Sequence, residues 1–244
     1  MICEKHNGDC MINIYGKNCI YEAIKANKGL LKVFVLDSIV KKDTKFIQLL
    51  KDKKINFVIE NKKNMDHMFG TGHQGYGAHR EAYFIYGEEI LDAISTQPKR
   101  LLLLDGIMDP HNLGAILRSV DAFGYDAVIL PKNRSCSITE TVAHVSTGAI
   151  EHIKIAYINS LSTFVIRLKE KGYWICGTDA SGDTEVSTID PNLDLAVIIG
   201  SEGFGMSRTL VKQTDFLLSI PMVGHVNSLN ASVSAGIVLY ALRK

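Results

Sequence analysis

Residues 100–130 have the sequence RLLLLDGIMDPHNLGAILRSVDAFGYDAVIL. Residues 100–104 form a continuous apolar run of strand length, and a second apolar run follows at residues 127–130. Residues 112–123 between them have the composition of a helix. A buried strand, a helix and another buried strand in this order predict a βαβ unit with parallel strands.

The same alternation continues to the end of the chain. Ligands of parallel sheets bind at the carboxyl ends of the strands, so three loops are candidates for the chemistry: residues 105–113, 200–207 and 221–230. We therefore predict an α/β fold with a parallel sheet and a final core helix that carries Val233, Ile237 and Tyr240. The further predicted strands lie at residues 173–176, 195–199 and 216–220, and the further helices at residues 161–168 and 207–212.

The front of the chain has its own pattern of alternating elements. Helices are predicted at residues 19–28 and 44–53, and strands at 32–36 and 56–59. A glycine-rich loop at residues 69–79 and a strand at 82–86 are predicted to end this small domain. We therefore expect a tail at residues 1–12, a small α/β domain at 13–84 and a catalytic domain at 85–244.

Charge is distributed unevenly along the chain. The formal net charge is +1, but residues 16–70 contain 12 Lys/Arg and 6 Asp/Glu, whereas residues 71–244 contain 14 and 18. A basic segment of this kind either contacts the phosphates of a nucleic acid or is a solvated lysine-rich surface, and the sequence leaves both open.

Composition excludes several classes of protein. The five cysteines form no CxxC pair and no zinc-type spacing with histidine, which indicates reduced thiols rather than a disulfide scaffold or a metal site. Residues 216–242 lack charged side chains but contain many polar ones, which are costly in a bilayer. Without a secretory signal either, the sequence predicts a cytoplasmic protein that does not interact with membranes.

The three loops contain no familiar nucleotide-binding motif. A P-loop is absent, and GSEGFG at residues 200–205 does not match the dinucleotide fingerprint. Glu202 in that loop either faces a ligand or caps the helix near Ser207, and Arg118 is either a phosphate-binding residue or a surface residue. The uncharged third loop suits hydrogen bonding to an adenine or ribose, or else satisfies its own backbone.

Taken together, the loops resemble a known family. DGIMDPHNLGAILRSVDAFG (105–124), IIGSEGFGMS (198–207) with SIPM (219–222), and SLNASVSAGI (228–237) look like motifs 1, 2 and 3 of the SpoU/TrmH family of the SPOUT superfamily. This resemblance implies an RNA 2′-O-ribose methyltransferase that uses S-adenosylmethionine, has a trefoil knot in its catalytic domain and acts as a homodimer. The front segment, with IYGKNCIYEAI (14–24) and HQGYGA (73–78), resembles the small RNA-binding domain of the rRNA-modifying members.

The resemblance also implies roles for particular residues. The catalytic set is Asn112 and Arg118 from motif 1, Glu202 from motif 2, and Ser228 and Asn230 from motif 3. Contacts to the cofactor are expected mainly from backbone groups, and no metal is expected. The residues expected to contact the cofactor are Thr178, Gly200, Ile220 and Leu229.

The leading hypothesis is methylation of a guanosine in 23S rRNA. The alternatives are a tRNA ribose methyltransferase, a resistance-type enzyme that methylates an rRNA adenosine, and a non-catalytic RNA-binding relative. The family proposal makes Arg118 the base, but arginine stays protonated because its pKa is above about 12. We therefore prefer an interpretation in which Arg118 holds the adjacent phosphate, polarises the hydroxyl and can relay its proton.

Overall fold

The computed structural model describes residues 11–225 and 228–243, with the side chain of Ser187 excluded. Contacts divide this part of the chain into two units. The first unit holds the described residues up to Tyr83 together with Ser137–His152, and the second holds Phe84–Cys136 and the described residues from Ile153 onward. Residues 1–10 of the predicted tail lie outside the described residues.

The first unit contains a four-stranded mixed sheet. Its strands are β1 (Met11–Tyr15), β2 (Leu30–Leu36), β3 (Phe57–Glu60) and β4 (Tyr76–Glu81), in the order β1-β4-β2-β3. Strand β4 is antiparallel to both of its neighbours, and β2 is parallel to β3. Met11 and Ile12, predicted as tail, are the first residues of β1.

Four helices lie between these strands. The two predicted helices form, and their bounds differ by one or two residues from the prediction. Two side chains cap helix N-termini: Asp43 accepts a hydrogen bond from Phe46 N at 3.2 Å, and Asn61 accepts one from Asn64 N at 3.0 Å. The helices are α1 (Lys17–Ala26), α2 (Asp37–Lys42), α3 (Thr44–Asp52) and α4 (Lys62–Phe69).

The end of this unit differs from the prediction. Residues 82–86 do not form a strand, and β4 lies instead in the stretch that its glycines had marked as a loop. The reason is close packing: a Cβ at Gly77 would lie 2.4 Å from a ring atom of Phe69, so only glycine fits there. A glycine in this sheet therefore marks the close approach of an aromatic ring.

A segment from the second half of the chain completes the first unit. It contains α6 (Glu140–Val145) and a 3₁₀ helix (Ala149–Glu151). The carboxylate of Glu151 is buried, where it pairs with the buried guanidinium of Arg80 and accepts a hydrogen bond from the Tyr83 hydroxyl at 2.9 Å. A buried pair of this kind is costly to break, so this segment is an integral part of the unit.

The second unit is built on a six-stranded sheet. Its strand order is β10-β8-β9-β5-β6-β7 and all the pairings are parallel. The central strands are buried on both faces, which explains their continuous apolar runs. The strands are β5 (Arg100–Asp105), β6 (Ala127–Pro131), β7 (Lys154–Ile158), β8 (Trp174–Thr178), β9 (Leu195–Gly200) and β10 (Phe216–Leu218).

Helices flank this sheet, as the α/β prediction requires. The helices are α5 (Pro110–Ala122), α7 (Leu161–Glu170), α8 (Arg208–Val211) and α9 (Ala231–Ala241), with 3₁₀ helices at Glu88–Ala93 and Val186–Thr188. Among the described residues, no helix is long and apolar enough to cross a membrane.

The face that α9 buries differs from the prediction. Val233, Ile237 and Tyr240, predicted to face the core, are 49%, 42% and 55% exposed. Ala235 and Leu239 are buried instead, and α9 packs on α5 and β9. Helix α9 is apolar on almost all sides, so spacing alone could not identify its buried face.

Candidate functional site

A cavity of about 300 Å³ lies at the carboxyl ends of β8, β9 and β10. These three strands are neighbours in the sheet, and their loops meet at one edge, as expected for a ligand site. Six of the residues predicted for the site line this cavity. They are Thr178, Gly200, Glu202, Ile220, Ser228 and Leu229. Val226 and Asn227 of the third loop lie outside the described residues.

Gly200 allows the β9 loop to close over the cavity. A Cβ at this position would lie 2.1 Å from the backbone carbon of Gly205 and 2.3 Å from the nitrogen of Met206. Two backbone hydrogen bonds between Ser201 and Gly205, at 3.1 and 2.9 Å, stabilise this turn of the loop. The glycine is therefore required by a backbone contact that shapes the cavity wall.

Side chains from all three predicted loops meet beside this cavity. Asn230 Nδ2 donates to Asn112 Oδ1 at 3.0 Å and lies 3.5 Å from Glu202 Oε2. The other amide atom, Asn230 Oδ1, accepts from Ser232 N at 2.9 Å and so caps α9. One asparagine therefore positions both the helix and the polar cluster.

Asp109 orients Asn112. The Asp109 carboxylate caps α5 by accepting from the backbone nitrogens of His111 at 3.2 Å and Asn112 at 3.1 Å. Pro110 occupies the first turn, where its missing N–H costs nothing. Helix α5 thus begins two residues earlier than predicted, and the Asn112 side chain is free to reach Asn230.

Glu202 does not cap the helix that follows its loop. Helix α8 begins at Arg208, and the backbone nitrogen of Ser207 donates to Asp105 Oδ2 at 2.8 Å. The capping alternative for Glu202 is therefore wrong. Its exposed carboxylate lines the cavity instead.

The structure does not bring Arg118 to this cluster. It lies six residues after Asn112 on α5, which corresponds to a rotation of about 120° away around the helix axis. Its side chain is exposed and makes no hydrogen bond or ion pair with another described residue. Arg118 is also not among the described residues that line the cavity.

Asp179 also lines the cavity, a carboxylate that the sequence patterns did not predict for the site. It directly follows β8, so its position at a strand end was the available indication. Its Oδ1 accepts hydrogen bonds from Ser181 N at 2.9 Å and Ser181 Oγ at 2.6 Å. These hydrogen bonds lower the pKa of Asp179, because they stabilise the charged form.

The lining of the cavity suits a small cationic ligand with apolar parts. Asp179 and Glu202 supply negative charge, and the described lining contains no lysine, arginine or histidine. Apolar side chains such as Ile199 and Leu218 form the deeper wall. The volume is at the lower end of the range for small-molecule sites. Among the described residues, no group of three or more His, Cys, Asp or Glu could hold a metal ion.

Comparisons with known families assign both parts of the chain. Residues 99–240 match the SpoU rRNA Methylase family. Residues 13–83 match the family described as RNA 2′-O ribose methyltransferase substrate binding. The first of these matches contains the polar cluster of Asn112, Glu202 and Asn230 and the cavity at the carboxyl ends of the strands.

Similar proteins cover almost the whole chain. A putative TrmH family tRNA/rRNA methyltransferase of Staphylococcus saprophyticus is 41% identical over 237 residues, which are 94% of each chain. The SpoU methyltransferase AviRb from Streptomyces viridochromogenes, solved with its cofactor AdoMet, shares the fold with a TM-score of 0.78 at 20% identity; the match covers 95% of this chain and 89% of that one. An AdoMet-bound rRNA methyltransferase from Sinorhizobium meliloti has a TM-score of 0.78 at 20% identity, covering 95% and 86%. The α/β fold, the three motif loops and these matches show that the chain is an RNA methyltransferase and belongs to the SpoU rRNA methylase family.

Proposed function

We propose that this enzyme methylates the ribose 2′-hydroxyl of a guanosine in 23S rRNA, with S-adenosylmethionine as the methyl donor. The observation that supports it best is the cluster of Asn112, Glu202 and Asn230 beside a cavity that already has the character of a cofactor site. The match of the first unit to a ribose methyltransferase substrate-binding family supports the choice of the 2′-hydroxyl.

The cavity fits the proposed cofactor. Thr178, Gly200, Ile220 and Leu229 bring backbone groups and apolar surface to its wall, and Asp179 adds a carboxylate. When bound, S-adenosylmethionine supplies a methyl group on a sulfonium that leaves as a neutral thioether. The Gly200–Gly205 contact keeps the wall closed, and the negative lining favours a positively charged ligand.

The protein must make the ribose hydroxyl a better nucleophile. A 2′-hydroxyl is weak at neutral pH, so its proton has to be removed or its developing charge stabilised. Arg118 stabilises the developing charge as a cation: it holds the neighbouring phosphate and polarises the hydroxyl, since its guanidinium stays protonated. The hydroxyl proton is released to water as the methyl group is transferred. Asn112, Ser228 and Asn230 hold the ribose by hydrogen bonds, and Glu202 anchors the amide of Asn230.

A second copy of the chain completes this site. Arg118 lies on a different side of α5 from Asn112. The next residue, Ser119, packs against Gly236 of α9. The exposed stripe of Val233, Ile237 and Tyr240 on α9 would be covered in a homodimer, where the arginine of one copy reaches the site of the other.

The trefoil knot is part of the same proposal. The fully buried Arg100 donates hydrogen bonds to the carbonyls of Pro191 and Leu193 and, at 3.1 Å, to that of Leu242. Thus the loop that precedes β9 and the end of α9 are fastened to one side chain. The knot itself is proposed from the resemblance of the three motifs to the SPOUT superfamily.

Mapping ribose methylation tests the proposed reaction and its target. We expect cells that lack the protein to lose 2′-O-methylation at one guanosine of 23S rRNA, and the purified protein to restore it on RNA from those cells. Loss of a methyl group at a tRNA position or at an rRNA adenosine would favour the corresponding alternative enzyme. Full methylation of every ribose site in the deleted strain would contradict the proposal.

A further inference from the structure

A second cavity lies beside the cofactor cavity along the same edge of the sheet. Its volume is about 570 Å³, and it lies at the carboxyl ends of β9, β5 and β6. The two cavities share Ser201, Phe204 and Gly205 of the β9 loop, so a single loop forms the wall between them.

The lining of the second cavity differs in chemistry from that of the first. Phe204 is 93% exposed and Met108 is 62% exposed, which is unusual for large apolar side chains at a cavity. Arg134 and Arg208 line it as well, and the guanidinium of neither makes a hydrogen bond or ion pair with another described residue. Asp105 is the one carboxylate among the described residues of the lining, and it accepts a hydrogen bond from Ser207 N. The cavity therefore combines apolar surface with two unpaired positive charges.

The backbone holds Arg134 in an unfavourable conformation. Its φ is +61°, a left-handed value that residues with a Cβ rarely adopt. The loop around it is tied down on both sides: Lys132 N donates to Ile158 O at 2.7 Å, and Cys136 N donates to Ile107 O at 2.8 Å. Such conformations persist where surrounding contacts impose them, and they cluster at functional sites.

We propose that the second cavity binds an unpaired nucleotide of the RNA substrate at the point of methylation. The base stacks on Phe204 and packs against Met108, while Arg134 and Arg208 hold the adjacent phosphates. Aromatic stacking is the usual way in which proteins bind unpaired bases, and arginine forks match phosphate oxygens. The shared loop then places the ribose between the base site and the cofactor cavity. This inference rests on the proposed RNA methylation.

Cross-linking and binding measurements test the nucleotide site without relying on activity. The full-length protein is irradiated with a short single-stranded RNA of mixed sequence that contains 4-thiouridine, in the presence of S-adenosylhomocysteine. Cross-links are expected in the peptides that contain Phe204 and Arg134. Phe204→Ala should weaken binding of this RNA about 5- to 100-fold, whereas Phe204→Tyr keeps the stacking surface and should bind like the wild type.

Arg134→Gln separates the nucleotide site from the cofactor site, because Arg134 lines only the second cavity among the described residues. It should reduce the slope of log affinity against log salt by about 0.7 and leave calorimetric binding of S-adenosylhomocysteine unchanged. Lys171→Gln is the matched control. It removes an exposed positive charge just before the amino end of β8, whereas both cavities lie at the carboxyl ends of the strands.

The outcomes distinguish the nucleotide site from the proposed reaction. Absence of cross-links in both peptides, together with wild-type RNA binding by Phe204→Ala and Arg134→Gln, would overturn the nucleotide site even if the enzyme methylates RNA. Cross-links and the expected losses in a protein that transfers no methyl group to ribose would support the nucleotide site and contradict the proposed reaction.

Discussion

Gly200→Ala should open the wall of the cofactor cavity. The new Cβ would lie 2.1 Å from the carbon of Gly205, 2.3 Å from the nitrogen of Met206 and 2.5 Å from the oxygen of Gly205, where ordinary contacts are 3.4–4 Å. All three atoms are backbone, so no side chain can rotate away. The segment that contains Gly205 must move by about 1 Å or more, a shift expected to break the two hydrogen bonds between Ser201 and Gly205.

The cost of this substitution follows from those contacts. Each lost backbone hydrogen bond costs about 0.5–1.5 kcal/mol, and crowding of a packed region costs about 1–3 kcal/mol. The free energy of unfolding should therefore fall by about 2–6 kcal/mol. Because Ser201, Glu202 and Phe204 of this loop also line the cavity, cofactor affinity should fall by about tenfold or more.

Gly203→Ala is the control within the same loop. A Cβ at Gly203 would meet nothing within 4 Å, and its φ lies outside the left-handed range, so its stability should change by less than about 0.5 kcal/mol. Urea denaturation and calorimetry with S-adenosylhomocysteine measure both variants. If Gly200→Ala unfolds at the same urea concentration as Gly203→Ala and binds the ligand equally well, the close contact at Gly200 does not shape the cavity.

Three further predictions concern the chemistry and the RNA. With cofactor saturating, Arg118→Ala should lower the single-turnover methylation rate by about 10²–10⁴-fold and leave cofactor affinity nearly unchanged. A rate near that of the wild type would mean that Arg118 has only a structural role. The triple change Lys41→Gln, Lys42→Gln and Lys45→Gln in the basic first unit should reduce the salt dependence of RNA binding by about 0.7 for each lost phosphate contact, and an unchanged slope would mean that these lysines are only solvated. Asp179→Asn should weaken binding of S-adenosylmethionine about two- to tenfold and affect the uncharged-sulfur product less, as calorimetry can measure. Because hydrogen bonds from Ser181 lower the pKa of Asp179, wild-type binding should persist as pH falls through the range in which an ordinary aspartate takes up its proton; equal losses for both ligands would contradict this electrostatic role.

The basic first unit is better tested by such substitutions than by its removal. Ser137–His152 packs within this unit, where Glu151 pairs with Arg80 and Cys19 Sγ lies 3.3 Å from Ala143 O. A chain that begins after Tyr83 would leave that segment without these partners. Weak RNA binding by such a fragment would therefore not distinguish lost lysines from a damaged fold.

Local sequence patterns were sufficient for the α/β fold and for the parts of the candidate site. Apolar runs of strand length mark strands buried on both faces of a parallel sheet, and the carboxyl ends of such strands meet at one edge. That rule alone selected the loops that contain Asn112, Glu202 and Asn230, which the structure brings within hydrogen-bond distance. The sequence also predicted Gly200 as a site residue, but it did not predict the backbone contact with Gly205 that requires a glycine there.

Contacts between distant residues decided what the sequence could not predict. The buried face of α9 depends on where α5 and β9 lie, because an apolar helix has no polar side to mark its orientation. Gly77 lies in a strand since the ring of Phe69 packs against it, whereas glycine-rich sequence alone favours a loop. The grouping of Ser137–His152 with the first unit depends on the same kind of information. Sequence patterns indicate which residues of a segment are exposed to water and which are buried. Only the folded chain determines which other segment packs against the buried residues.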